Sequence, residues 1–140
     1  MELLDPWLQH HFPGVRPLMT SKPWRDGHLI TPNGLRIRFA VGGFRPVSAI
    51  SFRIDEGGQL AFTGDLWMQY YPAMGKTAII DWKAAKPWLE DYRAAHGDVL
   101  ITASYMIGEI RRLHVPIFKL MRAGLLDLIS CGVSVPDVAS

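Results

Sequence analysis

Cysteine is nearly missing: Cys131 stands alone among 140 residues, so no disulfide can form within the chain. That usage fits a reducing, cytoplasmic compartment, and it leaves the fold to be held by its core. Long hydrophobic runs are missing as well. No stretch reaches the roughly 18 uncharged apolar residues of a membrane helix. The apolar C-terminal region is interrupted by Glu109, Arg111, Arg112, Lys119, Arg122 and Asp127. The chain opens with Glu2 and Asp5, not with the basic-then-apolar order of a secretory leader. The expectation is a soluble, cytoplasmic protein that makes no membrane contact. An excess of one charge is lacking too. Fifteen Lys and Arg face 13 Asp and Glu, a formal net charge of +2, which is far from the basic surplus of a typical nucleic-acid domain.

Catalytic fingerprints are also wanting. Met74-Gly75-Lys76-Thr77 contains the Gly-Lys-Thr of a phosphate-binding loop, but that loop needs a glycine where Tyr70 stands. Gly42-Gly43 follows a strand pattern without opening a helix and reads as a turn. There is no Gly-x-Ser-x-Gly and no Cys-x-x-Cys. His10 and His11 are adjacent and diverge by about 100° on a helix. No spacing brings them further ligands from Asp26, His28, His96 or Asp98. His96-Gly97-Asp98 lies at a helix boundary, where the helix dipole and capping account for both charged residues. As the acid and base of a hydrolase, His96 and Asp98 would lack a nucleophile. Cys131 follows an apolar segment and reads as a packing residue. No catalytic residue, metal or cofactor is therefore expected.

What is present is a globular composition, 49% apolar and 20% charged, sufficient for the core of one domain spanning 1–140. Residues 1–34 hold five of the ten prolines and read as an irregular arm. A short helix is expected at Asp5–His10, Trp7 and Phe12 should anchor the arm, and Pro32-Asn33-Gly34 should turn it. Between 35 and 63, Leu35, Ile37, Phe39 and Val41, then Ile50, Phe52 and Ile54, then Leu60 and Phe62 alternate with polar or small residues. That periodicity predicts antiparallel strands with one buried face. A fourth strand is expected near Thr77–Trp82, reached through the aromatic link Leu66–Pro72. Residues 87–95 read as a helix ending at Gly97. Residues 98–113 read as a helix, with a strand at 99–103 as its rival. Residues 116–130 read as a helix whose apolar side covers half its girth. The predicted fold class is α+β: an antiparallel β-meander of three to four strands over 35–82, packed on C-terminal helices over 83–131.

Two surfaces suit binding. Arg36 and Arg38 project from one side of a strand, and the apolar pattern puts Arg53 on the same face, with Arg45 at its rim. Arginines without acidic company can grip phosphates or carboxylates bidentately. Residues 1–54 carry seven basic groups against three acidic ones, which concentrates the charge there. The second surface joins the C-terminal helix to Trp67, Tyr70 and Tyr71, residue types that dominate protein–protein contacts. The reading that follows is a small non-enzymatic binding protein, an accessory protein or inhibitor of bacterial or viral type. It would dock on a protein or nucleoprotein partner with an acidic surface, with a homodimer through the C-terminal helix as a further option. The alternative is nucleic-acid binding through the same arginines, although the aromatic rings that would stack bases belong to the other face.

Overall fold

The computed structural model describes residues 5–41, 48–53, 61–97, 99–102 and 109–130. In chain order these form α1 (Asp5–His11), β1 (Arg16–Pro17), α2 (Pro23–Asp26), β2 (Leu29–Ile30), β3 (Arg36–Val41) and β4 (Ala49–Arg53). There follow β5 (Leu66–Tyr71), β6 (Lys76–Asp81), α3 (Trp82–His96), β7 (Val99–Thr102), β8 (Glu109–Pro116), α4 (Ile117–Arg122) and β9 (Leu126–Ser130). The class is mixed α+β, as the alternation and helical periodicities predict.

The sheet is larger than the expected meander, and it is not purely antiparallel. One sheet has six strands in the order β1-β2-β3-β5-β6-β9, and a second has three in the order β4-β8-β7. β3 and β5 run parallel, with Ile37 opposite Leu66 and Phe39 opposite Met68, while every other pair is antiparallel. The consecutive strands β3 and β4 therefore lie in different sheets. Period-two alternation reports which face of a strand is buried and says nothing about which strand lies beside it. The third strand of the expected meander is not found at Phe62–Thr63, and residues 54–60 lie outside the described residues. The aromatic link is itself β5, and the fourth strand is β6.

The helices differ in the same way. α3 begins at Trp82, earlier than the pattern suggested, because the Asp81 carboxylate caps it by accepting from the Ala84 N–H at 3.4 Å. Pro87 lies inside the helix, where it removes one backbone donor. Residues 99–102 are strand, so the rival reading holds for them, and β8 occupies the end of the expected second helix. The expected helix over 116–130 divides into α4 and β9. Gly124, at φ +75°, ends α4. Its N–H bonds the Met121 carbonyl at 3.0 Å, and the Leu125 N–H bonds that of Leu120 at 3.0 Å. This Schellman arrangement satisfies the last free carbonyls and turns the chain into an edge strand.

Two cores follow from two covered faces. Trp67 and Tyr71 of β5, with Ala78 and Ile80 of β6, face the inner residues Ile50, Phe52, Leu113 and Val115 of the second sheet and the buried sides of α3 and α4. Trp67, Trp82, Phe52 and Phe62 meet at its centre, with ring centroids 5.2–6.3 Å apart. The Trp82 Nε1–H donates to the Phe62 carbonyl at 2.8 Å. The opposite face of β3 and β5 supplies Ile37, Phe39 and Met68 to a smaller core closed by Leu8 of α1, Val15 and Leu29. Phe12 packs against that core, as expected for an anchor. Because β5 is covered on both faces, Leu66–Tyr71 carries apolar side chains on both sides, a pattern that periodicity alone cannot assign.

Candidate docking surface

Arg36 and Arg38 share one face of β3, as their spacing requires, but that face is roofed by α2 and by the chain at Thr63. The Arg36 guanidinium donates to the Asp26 carbonyl at 3.0 Å, the Thr63 carbonyl at 2.9 Å and the Thr63 hydroxyl at 3.2 Å. It also lies 3.8 Å from the Asp26 carboxylate. Hydrogen bonds from Arg25 and from Thr20 hold that carboxyl down to about 2. Arg38 donates to the Trp24 carbonyl at 2.9 Å, and burial lowers its guanidinium pKa. Its Nε is buried without a hydrogen-bond partner among the described residues, as is the Trp67 Nε1 on the adjacent strand. Arg53 lies on β4 opposite Arg112, in the other sheet, and only its backbone is described. Arg45 lies outside the described residues. The four arginines of the expected cluster are thus not brought to one open face within the part that is described.

The aromatic candidates are largely interior. Trp67 and Tyr71 are buried in the larger core, and burial pushes the Tyr71 phenol up to about 12. Tyr70 points the other way and packs, half-buried, on the smaller core. Alternation along β5 separates the three residues between two faces.

An exposed apolar pair that the sequence reading did not single out lies on α4. Ile117 and Leu120 turn inward and are buried, which leaves Phe118 and Met121 outward, 54% and 45% exposed. Two cations neighbour this pair along the helix, one on Phe118 and one turned to α3. The Arg122 guanidinium sits 5.4 Å from the Phe118 ring centroid, and the Lys119 ammonium sits 5.3 Å from that of Tyr92. Just before α4, the half-buried Arg112 and the exposed His114 alternate along β8 with the buried Leu113 and Val115. Ser51 of β4 stands opposite His114, and its hydroxyl lies 3.5 Å from the Arg112 guanidinium. On α3, Trp88, Tyr92 and His96 stack at successive helical turns, with centroids 5.3 and 4.1 Å apart. The available signal was the short spacing between Pro116 and Gly124. It admits a helix of two turns with one buried side, leaving the other outward.

The remaining motifs find structural roles. Gly75 makes a left-handed turn after a 3-10 segment, Lys76 opens β6, and Thr77 is buried within that strand. Gly-Lys-Thr therefore leads into a strand, whereas a phosphate loop leads into a helix. The rings of His10 and His11 meet edge to face at the end of α1. Among the described residues, no three His, Cys, Asp or Glu side chains gather as metal ligands. His96 stacks on Tyr92 with its Nδ1 3.2 Å from the Tyr92 carbonyl. Asp98 and Cys131 lie outside the described residues. Among the described residues, no helix is long and apolar enough to cross a membrane. Compared with protein-family models, with curated proteins and with solved structures, the chain matches none.

Proposed function

We propose that this is a small non-enzymatic binding protein that docks on an acidic protein surface through the outer face of α4. The observation that carries this reading is the pair Phe118 and Met121, two large apolar side chains exposed one turn apart on a helix whose other outward residues are Lys119 and Arg122. Interfaces typically have an apolar centre and a polar rim, and Phe, Met and Arg are among the residue types enriched there. The cationic rim calls for a partner of opposite charge, which would also speed encounter. Nucleic acid is the less favoured partner. Arg36 and Arg38 already donate to carbonyls of their own chain. Trp88, Tyr92 and His96 stack on one another rather than offering free faces to bases.

The test compares tagged wild-type protein with the double variant Phe118→Ser/Met121→Ser in its native cells. Wild type should retain a partner protein at fixed stoichiometry, and the double variant should lose it while unfolding at the same midpoint. Undiminished retention by the double variant would remove α4 from the contact. Tight binding of wild type to single-stranded RNA or DNA, weakening steeply with salt, would replace the protein partner by nucleic acid.

A further inference from the structure

The smaller core is not filled to its end. A cavity of about 480 Å³ opens where α1, β1 and the edge of the six-stranded sheet meet, a size within the range of small-molecule sites. Its apolar wall is Leu8, Val15, Leu29 and Phe39, each no more than 7% exposed. Gln9 also lines it, but both ends of that amide are engaged. Its Nε2 donates to the Val15 carbonyl at 2.8 Å, and its Oε1 accepts from the Gly14 N–H at 3.0 Å. Gln9 therefore fixes the wall and leaves ligand recognition to other groups.

Two cationic or donor side chains line the same cavity, Arg16 and His28. β2 pairs with β3 only at Leu29 and Ile30, leaving the Phe39 N–H beyond its end. The His28 ring takes the place of the missing carbonyl, its Nδ1 accepting from that N–H at 3.1 Å. The His28 backbone is fixed on both sides, its N–H on the Ile37 carbonyl at 2.8 Å and its carbonyl on the Leu18 N–H at 2.9 Å. A neutral imidazole that accepts at Nδ1 carries its proton on Nε2, so His28 offers a held donor. The Arg16 side chain is exposed and has no ion-pair or hydrogen-bond partner among the described residues.

We propose that this cavity binds a medium-chain fatty carboxylate, its tail against Leu8, Val15, Leu29 and Phe39 and its carboxylate on the Arg16 guanidinium and the His28 Nε2–H. An apolar chain gains from leaving water, and a carboxylate entering beside an unpaired guanidinium gains a charge-assisted hydrogen bond. The site shares no residue with β8 or α4, so it stands or falls independently of the docking surface.

Calorimetric titration of the full chain with decanoate and with decan-1-ol tests this. Wild type should bind decanoate, with a shift of the His28 ring resonances in NMR spectra. Arg16→Gln should weaken decanoate roughly tenfold or more, the scale of one charged hydrogen bond, and leave decan-1-ol unchanged. Val15→Trp should fill the cavity and abolish both. If that variant does not fold, Pro17→Trp at the cavity lining makes the same test. Three results would each overturn the proposal: no binding by wild type, binding that survives the filled cavity, or decanoate affinity indifferent to Arg16→Gln.

Discussion

Arg36 and Arg38 look in the sequence like a reader of anions, and in the fold they join segments of one chain. A guanidinium can donate to several carbonyls at once in a fixed fork, and a lysine ammonium cannot reproduce that geometry. Arg36→Met should therefore destabilise the protein by about 2–3 kcal/mol, read as a lower denaturant midpoint, and Arg36→Lys should recover little of it. His28 gives the pH dependence. Burial, with the charge of Arg38 beside it, holds its imidazole below the ordinary 6.5, and protonation would abolish the Nδ1 acceptor for the Phe39 N–H. The unfolded chain then binds the proton more readily than the folded one. The contribution is whole above about pH 6.5 and is lost as pH falls through the folded value. Wild type should lose more stability than His28→Gln between about pH 7.5 and pH 5. Equal losses would show that another group governs that window. The spacing of Arg36 and Arg38 made their shared face legible. Their carbonyl partners Asp26, Thr63 and Trp24 were not, because backbone groups carry no residue-type signal.

At the scale of elements, β3 and most of α3 were legible because each has one polar and one buried side, whereas β6 is buried on both faces and was marked only by its short apolar run. β5 was hidden because both its faces are covered, and α4 with β9 was hidden because an apolar run of that length fits one long helix equally well. Gly124 decides between them. On a helical wheel it occupies an apolar position, yet at φ +75° it performs a turn that a side chain resists. Gly124→Ala should cost about 1–2 kcal/mol, measured by thermal or chemical unfolding. A neutral or stabilising effect would mean that α4 runs on through this position. Gly64 is constrained in a different way. A Cβ there would meet the Arg36 carbonyl oxygen at 2.9 Å and run into the Phe62 ring, so the chain passes between β3 and the larger core because that residue has no side chain.

Across the whole molecule, the six-stranded sheet separates a larger core centred on tryptophan and phenylalanine rings from a smaller, mainly aliphatic one that includes Phe39. The second sheet and α4 roof the larger core, and so the elements that close it also carry the exposed Phe118 and Met121. The cationic surplus of the first 54 residues is partly consumed inside the fold, by Asp26 and by carbonyls. On α4, Arg122 instead lies over the exposed Phe118 ring and Lys119 over Tyr92 of α3. Docking through α4 is the central claim, and site-specific photo-crosslinking in native cells tests it most directly. A benzophenone side chain is placed at position 118, at 122 and, as a control on the arm, at 22. The account predicts one discrete protein adduct from 118 and 122 and none from 22. An adduct from 22 with none from 118 or 122 would contradict it.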